Sequence, residues 1–169
     1  METTNSSEGE WAELTALYPQ FRDKNDWKDL SPEELVGILS DHPEFADHCE
    51  QWDSFTGADW MNLLIKQPDF SDECQEHSGF EKLDGKQWAS LLSVIPDFVD
   101  DCVECDAIQK LDGDDWFNIL STQGDVVDIR AACCDCDGWH KMETSQLHNL
   151  WDECPELQEC FAEFIGIQP

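Results

Sequence analysis

One phrase, written again and again along the chain, constrains what it can fold into. It reads DWMNLLIKQPDF from Asp59, KQWASLLSVIPDF from Lys86 and DDWFNILSTQGDV from Asp114. With the aromatic residue or leucine that opens each copy as an anchor, six copies align at Trp11, Leu35, Trp60, Trp88, Trp116 and Leu147, spaced 24, 25, 28, 28 and 31 residues apart. Eight residues after each anchor stand Pro19, Pro43, Pro68, Pro96, Gly124 and Pro155, and two further on stand Phe21, Phe45, Phe70, Phe98, Val126 and Leu157. Eight residues before it stand Trp27, Trp52, Phe80, Ile108 and Trp139, and five before it Leu30, Phe55, Leu83, Leu111 and Met142; the first copy lacks this leading segment. A unit this short cannot bury its apolar face alone, so neighbouring copies are expected to stack into one core.

The offsets also predict the local structure. Four residues before the anchors come Ser7, Ser31, Thr56, Asp84, Asp112 and Glu143, and one before them Glu10, Glu34, Asp59, Gln87, Asp115 and Gln146. This is a capping box or a close variant: the first side chain accepts an orphan backbone N–H, and the second reaches back to the cap. Apolar residues at the anchor and three and four beyond it, as in Trp60, Leu63 and Leu64, then lie on one helical face. The proline ends that helix, because its ring disfavours helical geometry in the residue before it, and it suits the first position of a second short helix. The expected fold is an all-α solenoid of about six short two-helix repeats of 24–31 residues, forming one domain over 7–169 after a frayed stretch, 1–6. The leading segments are candidates for a third short turn.

The unit resembles an uncharacterised bacterial tandem helical repeat, W-x-x-L-x-G-x-D-W-x-x-L-L-x-x-x-P-x-F-x-x-x-C, from Trp27 to about Leu157 and best from Trp52 to Cys102. That resemblance implies a fold and no activity.

Nine cysteines without an export signal argue against a secreted disulfide framework. Cys49, Cys74 and Cys102 fall four residues after the phenylalanine column, as small core hydrophobes would. Cys102 and Cys105 lie one repeat from Cys134 and Cys136, a spacing that could hold zinc, with His140 or His148 completing the set. That zinc site ranks below the reading as reduced thiols, and no cofactor is expected. Asp135, Asp137 and Gly138 suggest a calcium loop only superficially, since Cys133 stands at the first position, which needs an oxygen ligand, and Thr144 at the twelfth, which needs a bidentate Glu. Nucleophile elbows, phosphate-cradling glycine loops and zinc-protease helices are absent, so an enzyme is not expected. No apolar run of membrane-spanning length and no signal-like start occur, which favours a soluble protein of the bacterial cytoplasm.

Charge is the remaining signal. There are 39 Asp and Glu against 9 Lys and Arg, a formal net charge of −30, in a chain that is nonetheless 40% hydrophobic with eight Trp and nine Phe. Disorder is therefore not the explanation. Two residues after the phenylalanine column come Asp23, Asp47, Asp72, Asp100, Asp128 and Glu159, and one after the proline column Gln20, Glu44, Asp69, Asp97, Asp125 and Glu156. Acids in a first helical turn stabilise it by about 0.3–1 kcal/mol each, but this much like charge opposes compaction. Six stacked units at about 8–10 Å would extend roughly 50–60 Å. Thirty charges over that length is about one per 2 Å, against about one per 1.7 Å in duplex DNA.

In charge, length and lack of catalytic motifs the chain resembles the small acidic anti-restriction and anti-CRISPR proteins of phages and mobile elements. The expected function is thus a nucleic-acid mimic that occupies the basic groove of a DNA- or RNA-binding protein, such as a CRISPR effector or restriction enzyme, and binds no nucleic acid or membrane itself. Its contact residues are expected to be Asp47, Asp69, Asp72, Asp97, Asp100, Asp125 and Asp128. The alternative is a helical-repeat adaptor for protein–protein interaction, with Trp139, Trp151 and Phe117 as candidate hot spots.

Overall fold

The computed structural model describes residues 15–18 and 26–158, and among them every regular element is helical. The chain divides into two compact units, Met1–Gly79 and Phe80–Pro169, so the single domain read over 7–169 spans both. The first copy's anchor Trp11, its cap Ser7 and the stretch 1–6 lie outside the described residues.

In the first unit a 3-10 turn, Asp26–Asp29, precedes helix α1 (Pro32–Asp41) and a second 3-10 turn, Pro43–His48. The same sequence of elements recurs as Trp52–Ser54, α2 (Gly57–Lys66) and the turn Pro68–Phe70, which runs into α3 (Ser71–Glu76). Next come α4 (Gly79–Lys82), α5 (Gly85–Val94), a turn Pro96–Phe98 and α6 (Val99–Glu104). After a turn Ala107–Lys110 follow α7 (Gly113–Gln123), α8 (Val127–Asp135), α9 (Gly138–Lys141), α10 (Thr144–Glu153) and a last turn, Pro155–Leu157. Each described copy thus has three segments, because the leading residues form a short turn of their own, where the sequence alone suggested two helices.

The caps form as their spacing predicts. Thr56 Oγ1 accepts the Asp59 N–H (3.3 Å) while Asp59 accepts the Thr56 N–H (2.8 Å). Ser31 with Glu34, Asp84 with Gln87, Asp112 with Asp115 and Glu143 with Gln146 repeat the exchange. At the other end His42, Gln67, Ile95 and Cys154, each before a proline, leave helical geometry at φ/ψ of −139/70, −136/80, −131/87 and −122/85. Proline's ring dictates that departure.

Each anchor helix points its apolar stripe inward: Leu35, Trp60, Trp88 and Trp116 are wholly buried, as are Leu39, Leu63, Leu64, Leu91, Leu92, Ile119 and Leu120. Leu147 is only half-buried, and Leu150 takes over as the core residue of α10. The leading aromatic stacks on the anchor of its own copy: Trp52 lies 5.5 Å from Trp60 and Phe80 5.5 Å from Trp88, ring centre to ring centre. The indole N–H groups of Trp60, Trp88 and Trp116 are buried with no hydrogen-bond acceptor among the described residues, so volume is what these rings contribute.

Within each unit, neighbouring copies are joined by rungs that recur at similar offsets. α1 packs on α2, α5 on α7, and α7 on α10. Gln67 Nε2 donates to the Ser40 carbonyl (2.9 Å), and Gln123 Nε2 donates likewise to that of Ser93 (2.8 Å). At the leading turns Lys110 Nζ donates to the Leu83 carbonyl and Lys141 Nζ to that of Leu111, both at 2.9 Å. Lys86 bonds across α5 and α7 to Asp112 (3.1 Å) and to buried Asp115 (2.9 Å). These hydrogen bonds raise the Lys86 ammonium above its ordinary range, Asp115 contributing most.

Where the second segment of a copy turns into the next leading turn, the chain passes through the left-handed region at Ser78 (φ 51°), Asp106 (φ 58°) and Asp137 (φ 56°). Aspartate tolerates this conformation better than serine, and glycine adopts it freely. Ser78→Gly is therefore expected to raise stability by about 0.5–1 kcal/mol, read as a higher urea midpoint, whereas Ser78→Val lowers it.

Candidate acidic binding surface

The second segments position the acids. Phe45, Phe70 and Phe98 face inward, with Cys49, Cys74 and Cys102 four residues on beneath them. A helical or 3-10 turn that buries these positions must leave the intervening ones outside. Asp47, Asp69 and Asp72 are accordingly exposed in the first unit, and Asp97 and Asp100 in the second. Asp23 and Glu159 lie outside the described residues.

The fifth copy departs from the expected register. Val126 was aligned with the phenylalanine column, yet it is half-buried, while Ile129 and Cys133 are wholly buried and four apart, as Phe98 and Cys102 are. Ile129 therefore holds the column. The cause is local: position 124 is glycine, α7 runs to 11 residues where α5 has 10, and the 31-residue spacing absorbs three extra residues. Asp128 consequently occupies the place of Asp69 and Asp97, one before the buried apolar residue, and Ala131 takes the place of Asp72 and Asp100. Asp125 lies in the inserted stretch. Both Asp125 and Asp128 are exposed.

These seven aspartates differ from the capping acids in having no ion pair or hydrogen bond with any described residue. Glu34, Asp59, Asp112 and Asp115 are engaged in caps, and Asp112 is held below the ordinary carboxylate range, first by the Asp115 backbone N–H and then by Lys86. Five of the described cations are occupied elsewhere, while Lys66 stands exposed three residues before Asp69. Lys110, Lys141 and Arg130 donate to backbone carbonyls, and Lys86 is held at the caps of α7. Lys28 pairs with Glu50. Beside the columns, half-buried Asp101 has its carboxyl raised, by burial first and then by the charges of Glu104 and Asp100. The local field is thus strongly negative.

Cys49, Cys74, Cys102 and Cys133 behave as core. Among the described residues no group of three or more His, Cys, Asp or Glu is gathered in a way that could hold a metal ion. Cys102 is wholly buried, Cys105 and Cys136 are half-buried, and Cys134 is exposed, its sulfur accepting the Trp139 indole N–H (3.2 Å). Burial pushes the Cys49 thiol up to about 11 and raises those of Cys102, Cys105 and Cys136. A thiol kept protonated is a poor nucleophile and a poor metal ligand. Iodoacetamide applied to the native protein is therefore expected to label Cys134 first. Cys49, Cys74, Cys102 and Cys133 should react at least about a hundredfold more slowly until the fold opens, as peptide mapping by mass spectrometry would read.

Of the aromatics considered as hot spots, Trp139 is 2% exposed and belongs to the same buried leading column as Trp27 and Trp52. Trp151 and Phe117 are half-buried. Among the described residues no helix is long and apolar enough to cross a membrane. No family model, no curated protein and no solved structure matches this chain, so the acidic surface must be interpreted from its own chemistry.

Proposed function

We propose that this protein is an acidic nucleic-acid mimic, a helical-repeat solenoid that inhibits a DNA- or RNA-binding protein in the bacterial cytoplasm by occupying its basic groove. The observation that carries this reading is the state of Asp47, Asp69, Asp72, Asp97, Asp100, Asp125 and Asp128, exposed and without an ion pair or hydrogen bond among the described residues, while Lys86, Lys110, Lys141 and Arg130 are committed to caps and carbonyls. For Asp69, Asp72, Asp97, Asp100 and Asp128 a place in a first helical turn supplies about 0.3–1 kcal/mol each, which does not call for a net charge this large, and that charge adds repulsion. A groove lined with Lys and Arg would relieve it.

Binding of this kind is competitive. The target's cations exchange a phosphate backbone for rows of carboxylates, and association is fast and steeply salt-dependent. An inhibitor of the anti-restriction or anti-CRISPR type needs no catalytic group, metal or cofactor of its own.

The test is an affinity capture from bacterial lysate at low salt, followed by competition with duplex DNA and with RNA. Recovery of a basic nuclease or another nucleic-acid-binding protein that either polymer displaces supports the reading. A partner indifferent to both polymers, and retained in high salt, points instead to the adaptor.

A further inference from the structure

Beside the acidic columns of the second unit stand two exposed valines, Val94 and Val127. At the end of the anchor helix, the copies with Leu35, Trp60 and Leu147 carry Asp41-His42, Lys66-Gln67 and Glu153-Cys154. The Trp88 copy carries Val94-Ile95 there; the Trp116 copy carries Thr122-Gln123, and its Val126 and Val127 follow at the start of α8. Charged residues end α1, α2 and α10 without difficulty, so the repeat itself has no need of valine at this position. Yet Val94 is 55% and Val127 64% exposed. α5 packs against α7, and Gln123 Nε2 donates to the Ser93 carbonyl at 2.8 Å, which sets the ends of these two helices side by side. Val94 ends one of these helices, and Val127 opens α8 four residues after the end of the other. Asp97, Asp125 and Asp128, exposed and without a partner among the described residues, flank them.

We infer that the turns 94–97 and 124–128 form a docking surface for a cationic amphipathic segment of the protein's target, one that interleaves apolar side chains with Lys or Arg. The assignment rests on the acidic-mimic reading and adds to it. Phosphates alone do not reproduce such a surface, so the target is met by apolar contact as well as by charge. A second copy of this chain is excluded as the occupant by charge, because the same flanking carboxylates would face each other in a molecule already at −30.

The test uses the full chain and two synthetic peptides of equal length and positive charge: an amphipathic helix of Lys and Leu, and one of Lys and Gly. Fluorescence anisotropy is read at about 50 mM and about 300 mM salt, where electrostatic attraction is progressively screened. The expected result at the higher salt is about tenfold tighter binding of the Lys–Leu peptide. V94S/V127S, and the isosteric V94T/V127T, should erase that preference while leaving the circular dichroism spectrum and the affinity for the Lys–Gly peptide unchanged. Equal binding of the two peptides, or a preference that survives both variants, overturns the docking surface and leaves the acidic reading standing. Failure of both peptides to bind at the lower salt overturns the acidic reading and this inference with it. Self-association that V94S/V127S abolishes in sedimentation would assign the surface to a second copy and overturn the inference as well.

Discussion

Gly113→Ala is expected to destabilise the protein by about 2–3 kcal/mol, and Gly37→Ala to stabilise it by about 0.8–1 kcal/mol, although both replace a helical glycine. The difference lies in what a methyl group would meet. A Cβ on Gly113, the first residue of α7, would sit 2.7 Å from the carbonyl carbon of Lys141 and 3.0 Å from the Met142 Cα. Both are backbone, fixed in the next copy's leading segment, where Lys141 Nζ also reaches the Leu111 carbonyl. No rotamer change relieves such a clash, so the α7–α9 contact must open or the helix must shift. Gly85 is placed the same way against the Lys110 carbonyl and should respond similarly. Gly37 lies mid-helix in α1 with nothing within 4 Å of its Cβ position, so alanine there simply removes glycine's backbone freedom. Urea unfolding followed by circular dichroism checks both signs. A neutral Gly113→Ala would mean that the copies are not packed this closely.

That contact explains a letter of the repeat that the sequence left without a cause. The glycine three residues before the anchor recurs at Gly57, Gly85 and Gly113, and at Gly85 and Gly113 its role depends on how closely the following copy approaches. Proline and threonine stand there at Pro32 and Thr144.

Features set by near neighbours in the chain were legible in advance. The capping boxes, the stop before proline and the inward stripe of each helix involve residues within about one turn of one another, and spacing alone fixes them. Features set between copies were not. The lysine and glutamine rungs lie 27 to 30 residues apart, and nothing local distinguishes Lys110 as a structural cation from a surface lysine. The register of the fifth copy was a third kind of case. The glycine at 124 invited alignment with the prolines, and this placed Val126 where Ile129 belongs. The better guide was already printed in the chain: Cys102 precedes Ile108 by six residues, and Cys133 precedes Trp139 by six. A buried cysteine marks register more firmly than a turn residue does, because insertions collect in turns and not in packed helices.

Replacing Asp47, Asp69, Asp72, Asp97, Asp100, Asp125 and Asp128 together with asparagine is expected to abolish inhibition of the captured target, with affinity falling by at least about a hundredfold at low salt. Helical content should not change, since none of the seven caps a helix or pairs with a described cation, and relief of repulsion should hold stability level or raise it slightly. The salt dependence carries the sharper information. Each carboxylate that replaces a phosphate against a target cation contributes up to about 0.7 to the slope of log affinity against log salt, as for single-stranded nucleic acid. The septuple variant should thus show a much flatter slope as well as weaker binding. Removing seven charges from any part of so acidic a surface weakens attraction somewhat, so a matched control is needed. Glu33, Asp41, Glu76, Glu81, Glu104, Asp135 and Glu153 are equally exposed and lie outside the columns. Neutralising them with Gln or Asn should cost less than about tenfold and leave most of the slope intact. If the two septuple variants lose affinity equally, the target reads net charge and not the columns. Diffuse attraction of that kind depends on total charge, whereas mimicry of a phosphate backbone requires carboxylates at particular places, and only these two variants, compared at several salt concentrations, separate the one from the other.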